Sequence, residues 1–144
     1  MFASSVWKKE REFETRSDSG HSVLIDTSAG HPNGPTPMEA VLMALCACTS
    51  VDVVSVLQKK REPFTGLTVS AQAEQLPVPP RTFSHILLVY RVTGNPSKKA
   101  VEDAVSLSKN KYCSVSKMLE KSAIIEFTIE YADEQANSEA ANKA

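Results

Sequence analysis

The stretch Thr36–Arg61, TPMEAVLMALCACTSVDVVSVLQKKR, constrains this chain more than any other. Thr36 suits an N-cap, Pro37 suits the first helical position, and Glu39 completes the T-x-x-E pattern of a capping box. At the other end Lys59, Lys60 and Arg61 meet the negative end of the helix dipole, and Pro63 and Gly66 follow. Between these signals Val41, Leu42, Met43, Leu45, Val51, Val53, Val54, Val56 and Leu57 leave no wide polar face. A helix apolar nearly all round is expected to be buried. Ala44, Ala47, Ser50 and Ser55 are small enough to let other backbone approach closely. The run Cys46-Ala47-Cys48 lies in the middle.

The chain has 144 residues, enough for one domain with a real core, and small enough to gain from dimerisation. We expect a single domain over 1–132 and a polar, alanine-rich tail over 133–144. Sixteen basic and 17 acidic side chains give a net charge of −1, which gives no reason to expect nucleic acid or an anionic membrane as a partner. The N-terminus MFASSVWKKERE has no apolar core of a secretory signal. The long helix has the length of a membrane span, but Glu39, Asp52 and several hydroxyls interrupt it, so no membrane is expected. Three cysteines, an odd count without disulfide-rich composition, fit a reducing cytoplasm. They form no C-x-x-C, and His21, His31 and His85 are scattered, so neither a metal nor a cofactor is expected.

Taken in order, Val6–Phe13 reads as an edge strand, Ser17–Gly20 as a turn, and Ser22–Asp26 as a short strand. A loop rich in proline and glycine leads to Thr36. After the helix, 67–74 alternates strictly, apolar on odd positions. Phe83–Thr93 places Ile86, Leu88, Tyr90 and Val92 on one face, while Leu87 and Val89 make the other partly apolar. Asn95 and Pro96 read as the start of a helix with Val101, Ala104, Val105 and Ser108 on its apolar stripe. A break at Asn110–Tyr112 precedes a short helix from Cys113 to Leu119, and Ile125–Tyr131 alternates as the last strand. Antiparallel hairpins on either side of a long helix make an α+β layout.

Two cysteines carry the interest. Cys48 reads as either a small hydrophobe on a buried helix or a reactive thiol. Cys113 sits at an expected helix start, near Lys109, Lys111 and Lys117, and reads as either a stabilised thiolate or an inert cysteine of the N-cap region. Cys46, about 200° round the helix from Cys48, reads as packing. Asp52 lies one turn after Cys48 on its face and needs a partner if buried. A structural bond suits it better than catalysis, because a carboxylate beside a thiol raises the thiol pKa. Glu39 is accounted for by the cap, and Arg16 reads as a solvated surface arginine.

The pattern P-M-E-A-x-L-M-A-L-x-x-C, with K-Y-C-S-V-S-K-M-L far downstream, resembles the OsmC/Ohr family of thiol-dependent hydroperoxide reductases. The resemblance runs from Val6 to Tyr131. It is nearest to the YhfA-like branch, through Ser19-Gly20-His21, the D-V-V-S helix and K-Y-C-S-V. It implies an OsmC-like fold: antiparallel sheets wrapped around a long buried central helix in an intertwined homodimer, with two sites at the subunit interface. It implies that Cys48 is the attacking thiol and Cys113 the resolving one. A small apolar hydroperoxide would be the substrate, and a dithiol or dihydrolipoyl protein the reductant. Met38 stands where the family's peroxidases carry the glutamate that pairs with an activating arginine. Glu39 is one position on, and Arg16 is an arginine available from the N-terminal strands. The alternative reading is therefore a redox-responsive or non-enzymatic binding protein on the same fold.

Overall fold

The computed structural model of this protein describes residues 1–132, and the expected tail, 133–144, lies outside the described residues. The expected domain holds two compact units, one of Met1–Met43 and one beginning at Ala44.

In the first unit, β1 (Ala3–Lys9), β2 (Glu12–Ser17) and β3 (Ser22–Asp26) form an antiparallel sheet in that order. The single strand expected over Val6–Phe13 is a hairpin instead. The chain reverses at Glu10, whose φ is 43°, and Trp7 faces Phe13 across the turn. The Trp7 indole N–H donates to the Glu10 carbonyl at 3.1 Å, fastening the reversal. Both strands of this hairpin are short and without a fully buried residue, so neither carries the alternation that would separate it from the turn.

The loop after β3 is organised by Asp26. The Ser28 hydroxyl and N–H donate to its carboxylate, as does the N–H of Asn33 at 3.2 Å. These donors, the Ser28 hydroxyl foremost, hold its carboxyl below the usual range. Gly34 passes so close to β3 that a Cβ there would stand 2.0 Å from the Leu24 carbonyl oxygen. The loop delivers the chain to Thr36, and the capping box forms in full. The Glu39 N–H donates to Thr36 Oγ1 at 3.2 Å, and the Thr36 N–H donates to Glu39 Oε2 at 2.7 Å.

Helix α1 (Pro37–Lys59) begins in the first unit and continues into the second. Its buried residues are Leu45, Thr49, Val53 and Leu57, a single stripe at four-residue spacing, while Met43 and Val51 are exposed. The expected burial all round is not supplied by this one chain, which covers only the face that Leu45 and Leu57 present. By length and composition α1 would be able to cross a membrane. Its polar residues Thr49 and Asp52 nonetheless find partners within the protein, as a core helix requires.

The second unit carries β4 (Phe64–Gln75), β5 (Phe83–Gly94) and β6 (Ile124–Ala132), in that spatial order. β4 and β5 pair antiparallel, but β5 and β6 pair parallel, His85 with Ile124 through Thr93 with Ala132. The sheet is therefore mixed, not antiparallel as expected. The reason is the connection: a parallel neighbour needs a crossover of a dozen or more residues, and the helical segment between β5 and β6 supplies it. That segment holds α2 (Lys98–Leu107), a π-helical turn (Ser108–Tyr112) and α3 (Ser114–Leu119). The N-cap of α2 is Ser97, not Asn95; its hydroxyl accepts the Ala100 N–H at 3.4 Å, while the Asn95 N–H is taken by the Pro63 carbonyl. The core is built from Ile86, Leu88, Tyr90 and Val92 of β5, Val101, Ala104 and Val105 of α2, and the α1 stripe. Leu87 and Val89, on the other face of β5, are half-buried.

Candidate functional site

All the parts of this site lie in the second unit. Cys48 and Asp52, one helical turn apart, share a face of α1. Cys113 is the N-cap of α3, and its Sγ accepts the Ser116 N–H at 3.4 Å. The two sulfurs and an oxygen of Asp52 all lie within 4.8 Å of one another. Cys46 stands outside this group, in keeping with its place round the helix, and burial pushes its thiol up.

Two expectations about the thiols are corrected. Cys113 is fully buried, whereas Cys48 is only half-buried, so the more accessible sulfur is the one on the long helix. The environment of Cys113 does not favour a thiolate. Burial pushes its thiol up, the Ser116 hydrogen bonds pull against that, and interaction with Cys48 adds to the rise. The lysines near it in sequence are engaged elsewhere. Lys109 lies 5.3 Å from the Phe127 ring centre, Lys111 lies 5.5 Å from that of Tyr112, and Lys117 pairs with Glu120 at 2.9 Å. Desolvation therefore wins over the helix N-terminus and the local basic residues.

Behind the thiols runs a chain of hydroxyls that sequence reasoning missed. Ser108 Oγ donates to Asp52 Oδ2 at 2.9 Å. Ser108 Oγ lies 2.8 Å from Thr49 Oγ1, which lies 2.6 Å from the Tyr90 hydroxyl. A hydroxyl has one proton to give. Ser108 spends its own on Asp52, so Thr49 donates to Ser108 and Tyr90 donates to Thr49. Asp52 thus sets the direction of the whole chain. Tyr90, Thr49 and Ser108 are each at most 1% exposed. Burial pushes the Tyr90 phenol up to about 12, with Cys113, Cys46 and Asp52 nearby adding to the rise. Phe127 packs edge-on against the Tyr90 ring at 6.2 Å.

The π-helical turn makes this arrangement possible. Its bond runs from the Cys113 N–H to the Ser108 carbonyl at 2.8 Å, five residues back. That wider turn places a hydroxyl and a thiol from one short segment against the same face of α1. The sequence signal was modest: Thr49 and Ser108 are hydroxyls at positions where the apolar stripes of two helices call for hydrophobes. A cavity of about 430 Å³ opens beside Asp52, lined also by Val56, Lys59, Leu107 and Tyr112. That volume suits a small organic molecule.

Arg16 and Glu39 belong to the first unit and have other partners. Arg16 is an exposed residue of β2 and lies 3.6 Å from Glu14 on its own strand. The Glu39 carboxylate serves the cap, and the Thr36 N–H holds its carboxyl below the usual range.

The model of the OsmC-like protein family matches residues 30–128, a span that includes α1, the π-helical turn and both cysteines of the pair. The chain belongs to the OsmC family. Protein YhfA of Escherichia coli K12 is 44% identical over 131 residues, which is 90% of this chain and 97% of that relative. Two crystal structures share the fold at lower identity. An OsmC-like protein from Mycoplasma pneumoniae is 15% identical with a TM-score of 0.80, over 91% of this chain and 96% of its own. The organic hydroperoxide resistance protein OhrB of Bacillus subtilis is 14% identical with a TM-score of 0.66, over 90% and 98% respectively.

Proposed function

We propose that this OsmC-family protein reduces organic hydroperoxides through Cys48 and Cys113. The observation that carries the reading is the facing pair of sulfurs within 4.8 Å, one half-buried and one fully buried. Cys48 as thiolate attacks the O–O bond of a small apolar hydroperoxide. One oxygen stays on sulfur as a sulfenic acid, and the other leaves as the alcohol after taking a proton. The Cys113 thiol then attacks the sulfenic sulfur, water leaves, and a disulfide forms. A dithiol or dihydrolipoyl protein restores both thiols and is itself oxidised to a disulfide. The more accessible sulfur meets the substrate, and the buried one meets only its neighbour. Tyr112, Val56 and Leu107 give the cavity beside Asp52 an apolar part, alongside Ser55, Lys59 and Lys60. The proposed setting is a reducing cytoplasm and the proposed assembly a homodimer.

A second reading is a redox-responsive binding protein without turnover. The engagement of Glu39 in the cap and of Arg16 with Glu14 favours it, since each already has a partner in its own unit. One experiment separates the two. The reduced protein is treated with one equivalent of cumene hydroperoxide and its intact mass is measured. Loss of two hydrogens, reversed by a dithiol, supports the peroxidase. Unreacted thiols refute it and leave the binding protein.

A further inference from the structure

We propose that the reduced group Cys48–Asp52–Cys113 binds one thiophilic divalent cation, with Zn²⁺ the best fit. Two sulfurs and a carboxylate oxygen within 4.8 Å of one another are already close to a ligand set. A tetrahedral zinc with bonds of about 2.3 Å to sulfur holds two sulfurs about 3.8 Å apart. The group therefore closes on the ion by about 1 Å or less, within the reach of side-chain rotation. Thiolate and carboxylate are both ordinary zinc ligands, and two sulfurs favour zinc over the hard cations magnesium and calcium.

The support around the carboxylate is what a metal ligand requires. Ser108 donates to Asp52 Oδ2, which orients the carboxylate. Ser108 is itself held by Thr49, and Thr49 by Tyr90, all buried. Three protein ligands leave the fourth tetrahedral position for water, and one of the three, Asp52, borders an open cavity. The cation and the disulfide use the same two sulfurs and exclude each other. A bound cation therefore shields the pair from alkylation and oxidation. The site stands on geometry alone and does not require peroxidase turnover.

The test uses the reduced full-length protein with Zn²⁺ and Co²⁺ as probes. Competition against a chelating indicator is expected to give one zinc per chain. Cobalt is expected to give a thiolate-to-metal charge-transfer band that disappears in Cys48→Ser and in Cys113→Ser. Asp52→Asn and Ser108→Ala are each expected to weaken zinc binding about 10–100-fold, and Cys46→Ser to leave it unchanged. In the wild type, zinc is expected to slow alkylation of Cys48 and Cys113, mapped by peptide mass, while Cys46 reacts as before. Equal alkylation of Cys48 and Cys113 with and without zinc overturns the proposal, whatever the variants do. So does a charge-transfer band that survives Cys48→Ser, or a zinc affinity indifferent to Asp52→Asn in a folded variant.

Discussion

The one-way chain from Tyr90 to Asp52 makes a quantitative prediction. In Thr49→Val the new side chain keeps the shape of threonine but takes away both its bonds. The Tyr90 phenol, 1% exposed, is then a buried donor with nothing to receive its proton. An orphaned buried donor costs about 1–3 kcal/mol, and the lost donation to Ser108 adds up to about 1 kcal/mol. The expected loss is therefore about 2–3 kcal/mol. Tyr90→Phe removes only a donor to Thr49, whose hydroxyl still has Ser108, so the expected loss is about 1 kcal/mol. The double variant has no orphan at all. Replacing both partners by apolar groups of similar shape is close to neutral, so the double variant is expected to lose about 1 kcal/mol in total. It should thus be more stable than Thr49→Val alone by about 1–2 kcal/mol. Urea denaturation at 25 °C reads this directly. With a slope of about 2 kcal/mol/M, the midpoint of Thr49→Val falls by about 1 M and the second substitution restores over half of it. Losses that add to within about 0.5 kcal/mol would show that the two hydroxyls are not coupled and refute the chain.

Four further outcomes are expected. Glu39→Gln should leave the melting temperature and the Cys48 alkylation rate unchanged, because glutamine serves a capping box equally, whereas Thr36→Ala should cost about 1 kcal/mol by thermal melt. With its phenol at about 12 in the fold and about 10 unfolded, Tyr90 stays protonated in both states below about pH 10 and leaves stability unchanged there. As pH rises from about 10 towards 12 the unfolded chain ionises first and stability falls by roughly 2–3 kcal/mol, a loss that urea titrations from about pH 9 upward should show in the wild type but not in Tyr90→Phe. Cys48→Ser should abolish hydroperoxide consumption and Cys113→Ser should trap a sulfenic acid that dimedone labels, whereas Cys46→Ser should leave both reactions intact; a loss of turnover in Cys46→Ser sinks the thiol assignment. Light scattering should return twice the 15.7 kDa of one chain, because exposed Met43 and Val51 on α1 need cover, and a mass near 16 kDa at micromolar concentration excludes the homodimer.

Local signals carried most of the fold into the sequence. The capping box at Thr36 and Glu39, the alternation after Leu67 and the stripe of Val101, Ala104 and Val105 are patterns of neighbouring residues, and each formed as read. Val6–Phe13 failed because a hairpin between two short exposed strands carries no alternation strong enough to expose its turn. Asn95 lost the cap to Ser97 because α2 begins at Lys98, three residues after Asn95, and the Ser97 hydroxyl is the one that accepts the Ala100 N–H. The direction of β6 was readable in principle, since a helical crossover before a strand points to parallel pairing. The site divided in the same way. Asp52 beside Cys48 followed from helical spacing, whereas the nearness of Cys113 came through resemblance alone. Tyr90, Thr49 and Ser108 join three separate elements, and no spacing rule links residues 59 positions apart. The acidity of Cys113 was misjudged because burial, the deciding influence, is not written in the lysines around it.

The π-helical turn at Ser108–Tyr112 has a consequence for how such a site is gained or lost. A π turn holds one residue more than an α turn over the same stretch of axis. Were the same residues to wind as ordinary α-helix, every chemical group of the site would still be present. Cys113 would then be displaced by about 100° around the axis, away from Cys48. The pairing of these two thiols therefore depends on the winding of this turn as much as on residue identity. A change of winding here would erase the pair, while an alignment of cysteines alone would show nothing missing.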